Sequence, residues 1–138
     1  MVESMSIGAL DSPLGVLRAA CSERGVCRVV FPQEAEKQLL ERWISEHMPG
    51  ANRIAANALL GQTLTELAEY FAGTRHRFTL PLDLRGNAFE RRVWKALTRI
   101  PYGHTRAYGS IARQLRDPRA ARAVGAACGA NPVPIIVP

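Results

Sequence analysis

The sequence predicts an α/β N-terminal domain, a small antiparallel three-stranded sheet plus helices, followed by a mostly α C-terminal domain with a helix-turn-helix. Three observations predict it. Short β-prone runs split by turn residues open the chain, two amphipathic helical patterns follow, and beyond residue 85 short helices stand on a strongly basic background. The domains are therefore expected at 1–85 and 86–138, with the boundary at Arg85-Gly86-Asn87.

Residues 5–10 and 16–20 read as strands around Asp11-Ser12-Pro13-Leu14-Gly15, whose residues each favour turns for their own backbone reasons. Glu23-Arg24-Gly25 is a second turn signal, and Val26 to Phe31 is a third strand. Residues 34–48 carry Leu39, Leu40, Trp43 and Ile44 at helical spacing and stop before Pro49-Gly50. Residues 57–71 place Leu60, Leu64, Leu67, Ala68 and Phe71 on one side of another helix. Phe78 to Leu84 is extended. In residues 88–100, Phe89, Val93, Trp94, Leu97 and Ile100 form one stripe, broken by Pro101-Tyr102-Gly103. Thr105 can cap a helix running to about Leu115. Asp117-Pro118 starts another, since Asp is a favoured N-cap and Pro suits the first helical position. This last helix ends near Gly129.

The 138 residues are 47% hydrophobic and 22% charged, proportions that support a folded core. No run of about 18 apolar residues would span a membrane, and the N-terminus MVESMSIGAL carries no visible secretory signal. A cytoplasmic protein is expected. Charge is unevenly spread. Residues 1–85 hold nine Arg/Lys against ten Asp/Glu, whereas residues 86–138 hold nine against only Glu90 and Asp117, a net of +7. Such asymmetry points to a polyanionic partner, most often nucleic acid.

The odd cysteine count, Cys21, Cys27 and Cys128, argues against a disulfide framework. Cys21 and Cys27 are six apart without a matching pair of ligands, so spacing gives a zinc site little support. Buried or half-exposed free thiols are the expectation.

Two short helices, about Ala107–Leu115 and Pro118–Cys128, stand roughly two residues apart, the helix-turn-helix pattern. In the second, Val124, Ala120 and Cys128 share a side that can face a core. The other side shows Arg119 and Arg122 among Ala121, Gly125, Ala126 and Gly129. Interior glycine costs a helix about 1 kcal/mol relative to alanine, and close approach of another body to the backbone would offset it. Packing against another helix would use small residues equally well. It would not call for Arg122 in the middle of that face. The chain closes on NPVPIIVP, an apolar, β-branched run with the character of a buried strand.

These residues carry a resemblance. Phe89-x3-Val93-Trp94, Ile100-Pro101-x-Gly103, Tyr108, Pro118-x-Ala120-Ala121-Arg122-Ala123-Val124-Gly125 and Asn131-Pro132 resemble the C-terminal domain of the bacterial O6-alkylguanine-DNA alkyltransferases, closely across residues 86–138. Residues 1–85 resemble that family's N-terminal domain less sharply, through Asp11 to Gly15 and Tyr70-Phe71-Ala72-Gly73.

The resemblance implies a suicide DNA-repair transferase that moves an alkyl group from O6 of guanine, and less readily O4 of thymine, onto its own cysteine. It implies no cofactor, no obligate protein partner and no membrane. The acceptor is implied in a Cys-His-Arg directly after Pro138, so no catalytic nucleophile lies within residues 1–138. A thiol with a pKa near 8.5 is mostly protonated at neutral pH, so a neighbouring base must generate the thiolate. The base must also leave its stack, at roughly a few kcal/mol. Double-stranded DNA containing alkylated guanine, bound through the minor groove, is the implied partner.

The resemblance further implies that Arg122 enters the duplex in place of the extruded nucleotide, and that Tyr108 rotates that nucleotide by crowding its 3′ phosphate. The small face with Arg119, Ala120, Ala121 and Gly125 would lie in the minor groove, which is only about 6 Å wide. Asn131 would bridge the recognition helix and the acceptor strand through its amide. Arg91, Arg92, Arg99, Arg113, Arg116 and Arg119 are expected mostly as basic surface, some touching phosphates. Some family members bind zinc in the N-terminal domain. Cys21 and Cys27 sit roughly where two ligands would be, but His47 and His76 match poorly, so no metal is expected. Two other readings stay open: a non-catalytic member that only binds lesions, and a helix-turn-helix regulator. The long N-terminal region disfavours the first, and the scarcity of base-reading side chains on the helix disfavours the second.

Overall fold

The structure, a computed structural model, describes residues 2–32, 36–117 and 120–138. Two compact units divide the chain, Met1–Leu84 and Arg85–Pro138.

In the first unit, β1 (Ser4–Ser12), β2 (Gly15–Ser22) and β3 (Val26–Val30) form the expected antiparallel meander. The β1–β2 turn closes on Ser12, whose hydroxyl accepts from the Leu14 amide at 3.1 Å and donates to the Gly15 carbonyl at 2.7 Å. Gly15 sits at φ +111°, a conformation that side chains disfavour. A fourth strand corrects the three-stranded expectation. After α1 (Glu36–His47), β4 (Asn52–Arg53) pairs parallel with Ser4 and Met5, giving the mixed order β3-β2-β1-β4. A strand this short is held by backbone hydrogen bonds, such as Asn52 N–H to Glu3 C=O, and leaves no side-chain periodicity to read.

Alternation along β1 sends Met5 and Ile7 to one face, and Ser6 and Gly8 to the other. The first face joins Ala20, Cys27, Val30, Leu40, Ile44 and Met48 in a core cluster beside α1. The second receives α2 (Ala58–Phe71), so closely that a methyl group on Gly8 would lie 3.0–3.1 Å from Leu60 and Leu64. Asn57 caps α2 by accepting from the Leu60 amide at 2.7 Å. Within residues 78–84, expected to be extended, Leu82 forms an isolated parallel bridge with Val26. Val26 donates to Pro81 C=O and Asp83 donates back to Val26 C=O, both at 3.0 Å. Gly25 permits this crossing, because a Cβ there would sit 2.6 Å from the Pro81 oxygen.

The second unit holds α3 (Ala88–Leu97), α4 (Tyr108–Gln114) and α5 (Ala121–Gly129). Asn87 and Glu90 form a reciprocal capping box at the start of α3. Buried Val93, Trp94 and Leu97 from α3 share this unit's core with Ile111, Val124, Val133 and Val137. One detail differs from expectation. Helix α4 begins at Tyr108 without a side-chain cap, so Thr105 does not cap it. Helix α5 is described from Ala121. Ahead of it, Arg116 turns the chain at φ +63° and the Ala120 amide donates to the Asp117 carbonyl at 3.0 Å. Pro118 and Arg119, assigned to the start of that helix, lie outside the described residues, as do Glu34 and Ala35 ahead of α1. Among the described residues, no helix is long and apolar enough to cross a membrane.

Candidate nucleic-acid interface

Helix α5 reads ARAVGAACG, so nearly all its surface is alanine or glycine. Val124 and Ala127 are buried, and Cys128 is half-buried. Ala127 had not been expected in the core. The i+3 spacing from Val124 was the signal available for it. Arg122, the second residue of the helix, is exposed and makes no hydrogen bond or ion pair among the described residues. Ala121 and Ala120 flank it, both half-buried. Of the unit's two acidic residues, Glu90 is engaged in the α3 cap and Asp117 is exposed, against nine Arg and Lys, so the unit carries a strong positive excess. Arg119 cannot be placed on this surface, being outside the described residues.

Tyr108 opens α4 and is 52% exposed. Its ring nevertheless rests on α5. A methyl group on Gly125 would stand 3.1 Å from Tyr108 Cδ2 and from Cε2. The structure thus brings together two residues that the sequence offered separately.

The packing beneath this surface is specific. Trp94 donates from Nε1 to the Ala127 carbonyl at 2.8 Å, tying α3 to α5. Arg92, expected as plain basic surface, donates from Nη2 to the Leu115 carbonyl at 2.9 Å and so holds the end of α4. No sequence pattern marks such a contact, since its partner is a backbone oxygen 23 residues away.

After α5 the chain folds back on Asn131. The side chain donates from Nδ2 to the Val137 carbonyl at 2.9 Å and accepts at Oδ1 from the Val133 amide, also at 2.9 Å. Val137 donates to Val133 C=O at 2.9 Å, and Ile135 is forced to φ +76°, a costly conformation for a β-branched residue. One amide therefore staples both ends of the apolar run, with Val133 and Val137 fully buried.

The cysteines fit no acceptor role. Burial pushes the thiols of Cys21 and Cys128 up, so each keeps its proton at neutral pH. Cys21 Sγ lies 3.4 Å from Thr63 Oγ1, and Cys27 Sγ donates towards Asp83 Oδ2 at 3.7 Å. Among the described residues, no group of three or more His, Cys, Asp or Glu could hold a metal ion.

The DNA-binding domain of 6-O-methylguanine DNA methyltransferase matches residues 88–138, and the ribonuclease-like domain of the same family matches residues 5–84. The chain is 42% identical over 129 residues to the methylated-DNA–protein-cysteine methyltransferase of Mycobacterium tuberculosis strain H37Rv, covering 94% of this chain and 72% of that protein. It is 40% identical over 131 residues to the constitutive enzyme of Bacillus subtilis strain 168, covering 93% and 74%. The crystal structure of the M. tuberculosis O6-methylguanine methyltransferase superposes with a TM-score of 0.76 at 36% identity, covering 99% of this chain and 76% of that one. The M. tuberculosis OGT solved in complex with DNA gives a TM-score of 0.76 at 38% identity, with coverages of 96% and 74%.

Proposed function

The chain belongs to the 6-O-methylguanine DNA methyltransferase family, and we propose that it repairs DNA by transferring the alkyl group of O6-alkylguanine to a cysteine of its own. The observation that carries this reading is that both domains of the family match in order, over residues 5–84 and 88–138.

On this reading the second unit grips duplex DNA through α5. The small residues Ala120 and Ala121 leave room for the sugar-phosphate walls of the minor groove. Arg122 is long, planar and always charged, so it can stack between base pairs and donate to their edges in place of the extruded nucleotide. That it is exposed and, among the described residues, makes no hydrogen bond or ion pair supports this role. Tyr108 presents a half-exposed ring beside the same helix and crowds the 3′ phosphate. We infer from family likeness that the alkyl acceptor follows Pro138 directly. Asn131 then holds the strand that delivers it, and the protonated thiols of Cys21 and Cys128 support an acceptor elsewhere. The sulfur attacks the alkyl carbon, the C–O bond breaks, and guanine leaves as the neutral base once its oxygen's charge is met by a proton. Each molecule acts once.

Full-length protein incubated with duplex DNA containing O6-methylguanine is expected to gain about 14 mass units on one thiol, one methyl replacing one hydrogen. The gain should map to the peptide that follows Pro138. Lesion binding without mass gain would instead favour a non-catalytic member, and a gain on Cys21, Cys27 or Cys128 would overturn the placement of the acceptor.

A further inference from the structure

Two glycines stand in α5, and their surroundings differ. Around Gly129 a side chain would meet open space, with nothing within 4 Å. Around Gly125 it would meet the Tyr108 ring at 3.1 Å on two carbons and at 3.9 Å on Cζ. Gly125 does not have a positive φ, so the backbone does not require glycine there. Alanine would be the better helix former. What the position requires is space, and the occupant of that space is already in the protein.

We infer that Gly125 is a positioning residue acting through Tyr108: the missing side chain is a seat for the tyrosine ring rather than a gap for the duplex. This rests on the proposed role of Tyr108 against the phosphate. Tyr108 stands at the first position of α4, where no side-chain cap steadies the helix end. Its ring is 52% exposed, and α5 supplies the wall on the Gly125 side. A methyl group on Gly125 has a rigid helix behind it and a ring with free space in front, and the ring moves outward. A residue that works by crowding one phosphate is sensitive to such a shift, because misplacement by about 1 Å can cost on the order of a hundredfold in rate.

The test uses the full-length protein and measures single-turnover transfer from O6-methylguanine in duplex DNA and from the free base. Gly125→Ala is expected to keep or raise the thermal midpoint, because alanine favours the helix. It should slow transfer from duplex roughly tenfold and leave transfer from the free base unchanged. On a Tyr108→Ala background the same substitution should add no further slowing, since coupled residues are non-additive. An unchanged duplex rate for Gly125→Ala overturns the inference. So does equal slowing with and without the tyrosine, which would put the methyl group against the duplex itself. A fall in midpoint with both rates reduced would make the glycine structural only. If Tyr108→Ala itself spares duplex repair, the proposed role of the tyrosine fails, a result separate from the others.

Discussion

The indole nitrogen of Trp94 donates a 2.8 Å hydrogen bond to the carbonyl of Ala127, and both residues are buried. This bond fixes how α5 is mounted on α3. Gly86 completes the arrangement from below, since a Cβ there would lie 2.5 Å from the indole ring.

Trp94→Phe keeps much of the apolar bulk and removes the donor. It is expected to destabilise the protein by about 1–2 kcal/mol, the cost of the lost hydrogen bond and the smaller ring, since the Ala127 carbonyl keeps the Ala130 amide at 3.2 Å. Gly86→Ala is expected to cost a similar 1–3 kcal/mol through overpacking. Denaturant titration checks both, and a Gly86→Ala midpoint equal to wild type would mean that the indole can move.

Asn131→Ala removes two 2.9 Å hydrogen bonds, to Val133 and Val137, and releases the strained turn at Ile135. A loss of about 1–3 kcal/mol is expected. Because Asn131 is proposed to hold the acceptor strand, transfer from duplex and from free base should slow together. A selective loss on duplex would assign Asn131 to the DNA instead.

Much of this architecture was legible because it is local. The turn at Asp11 to Gly15 and the start of α3 after Asn87 rest on interactions spanning three residues. The strand β4 was not legible, because two residues paired through their backbones carry no pattern. The start of α4 was misjudged for a different reason: a threonine able to cap stood nearby, and the helix begins without it. At the site, Arg122 and Asn131 stood out through their chemistry. Gly125 and Arg92 did not, since their partners, Tyr108 and the Leu115 carbonyl, come from other helices that only folding brings near.

Glu66 links acidity to stability. Its carboxylate is buried, which alone would raise its pKa, but donors from Thr79 and Gln62 and the Arg75 charge outweigh burial and hold it below the usual range. Thr79 contributes its amide at 2.8 Å and its hydroxyl at 2.6 Å. A carboxyl with a depressed folded pKa stabilises above the unfolded value, near 4.3, and loses that contribution as pH falls through the folded value. The thermal midpoint should therefore drop on acidification below about pH 4.3. Glu66→Gln should be less stable at pH 7, by about 1–3 kcal/mol, and show a shallower acid slope. Parallel slopes would mean that other groups govern the acid limb.

Cys21 is fully buried, and burial pushes its thiol up, as it does for half-buried Cys128. Both should react with a maleimide at pH 7 more than about tenfold slower in the native than in the unfolded protein. Peptide mapping after brief labelling checks this. Rapid native labelling of Cys128 would reopen it as an acceptor.

The central claim is that Arg122 acts by entering the duplex, and Arg122→Ala tests it most directly. Single-turnover transfer should fall on the order of a hundredfold on duplex O6-methylguanine, while transfer from the free O6-methylguanine base stays near wild type. Equal loss on both substrates, or no loss on duplex, would contradict the account.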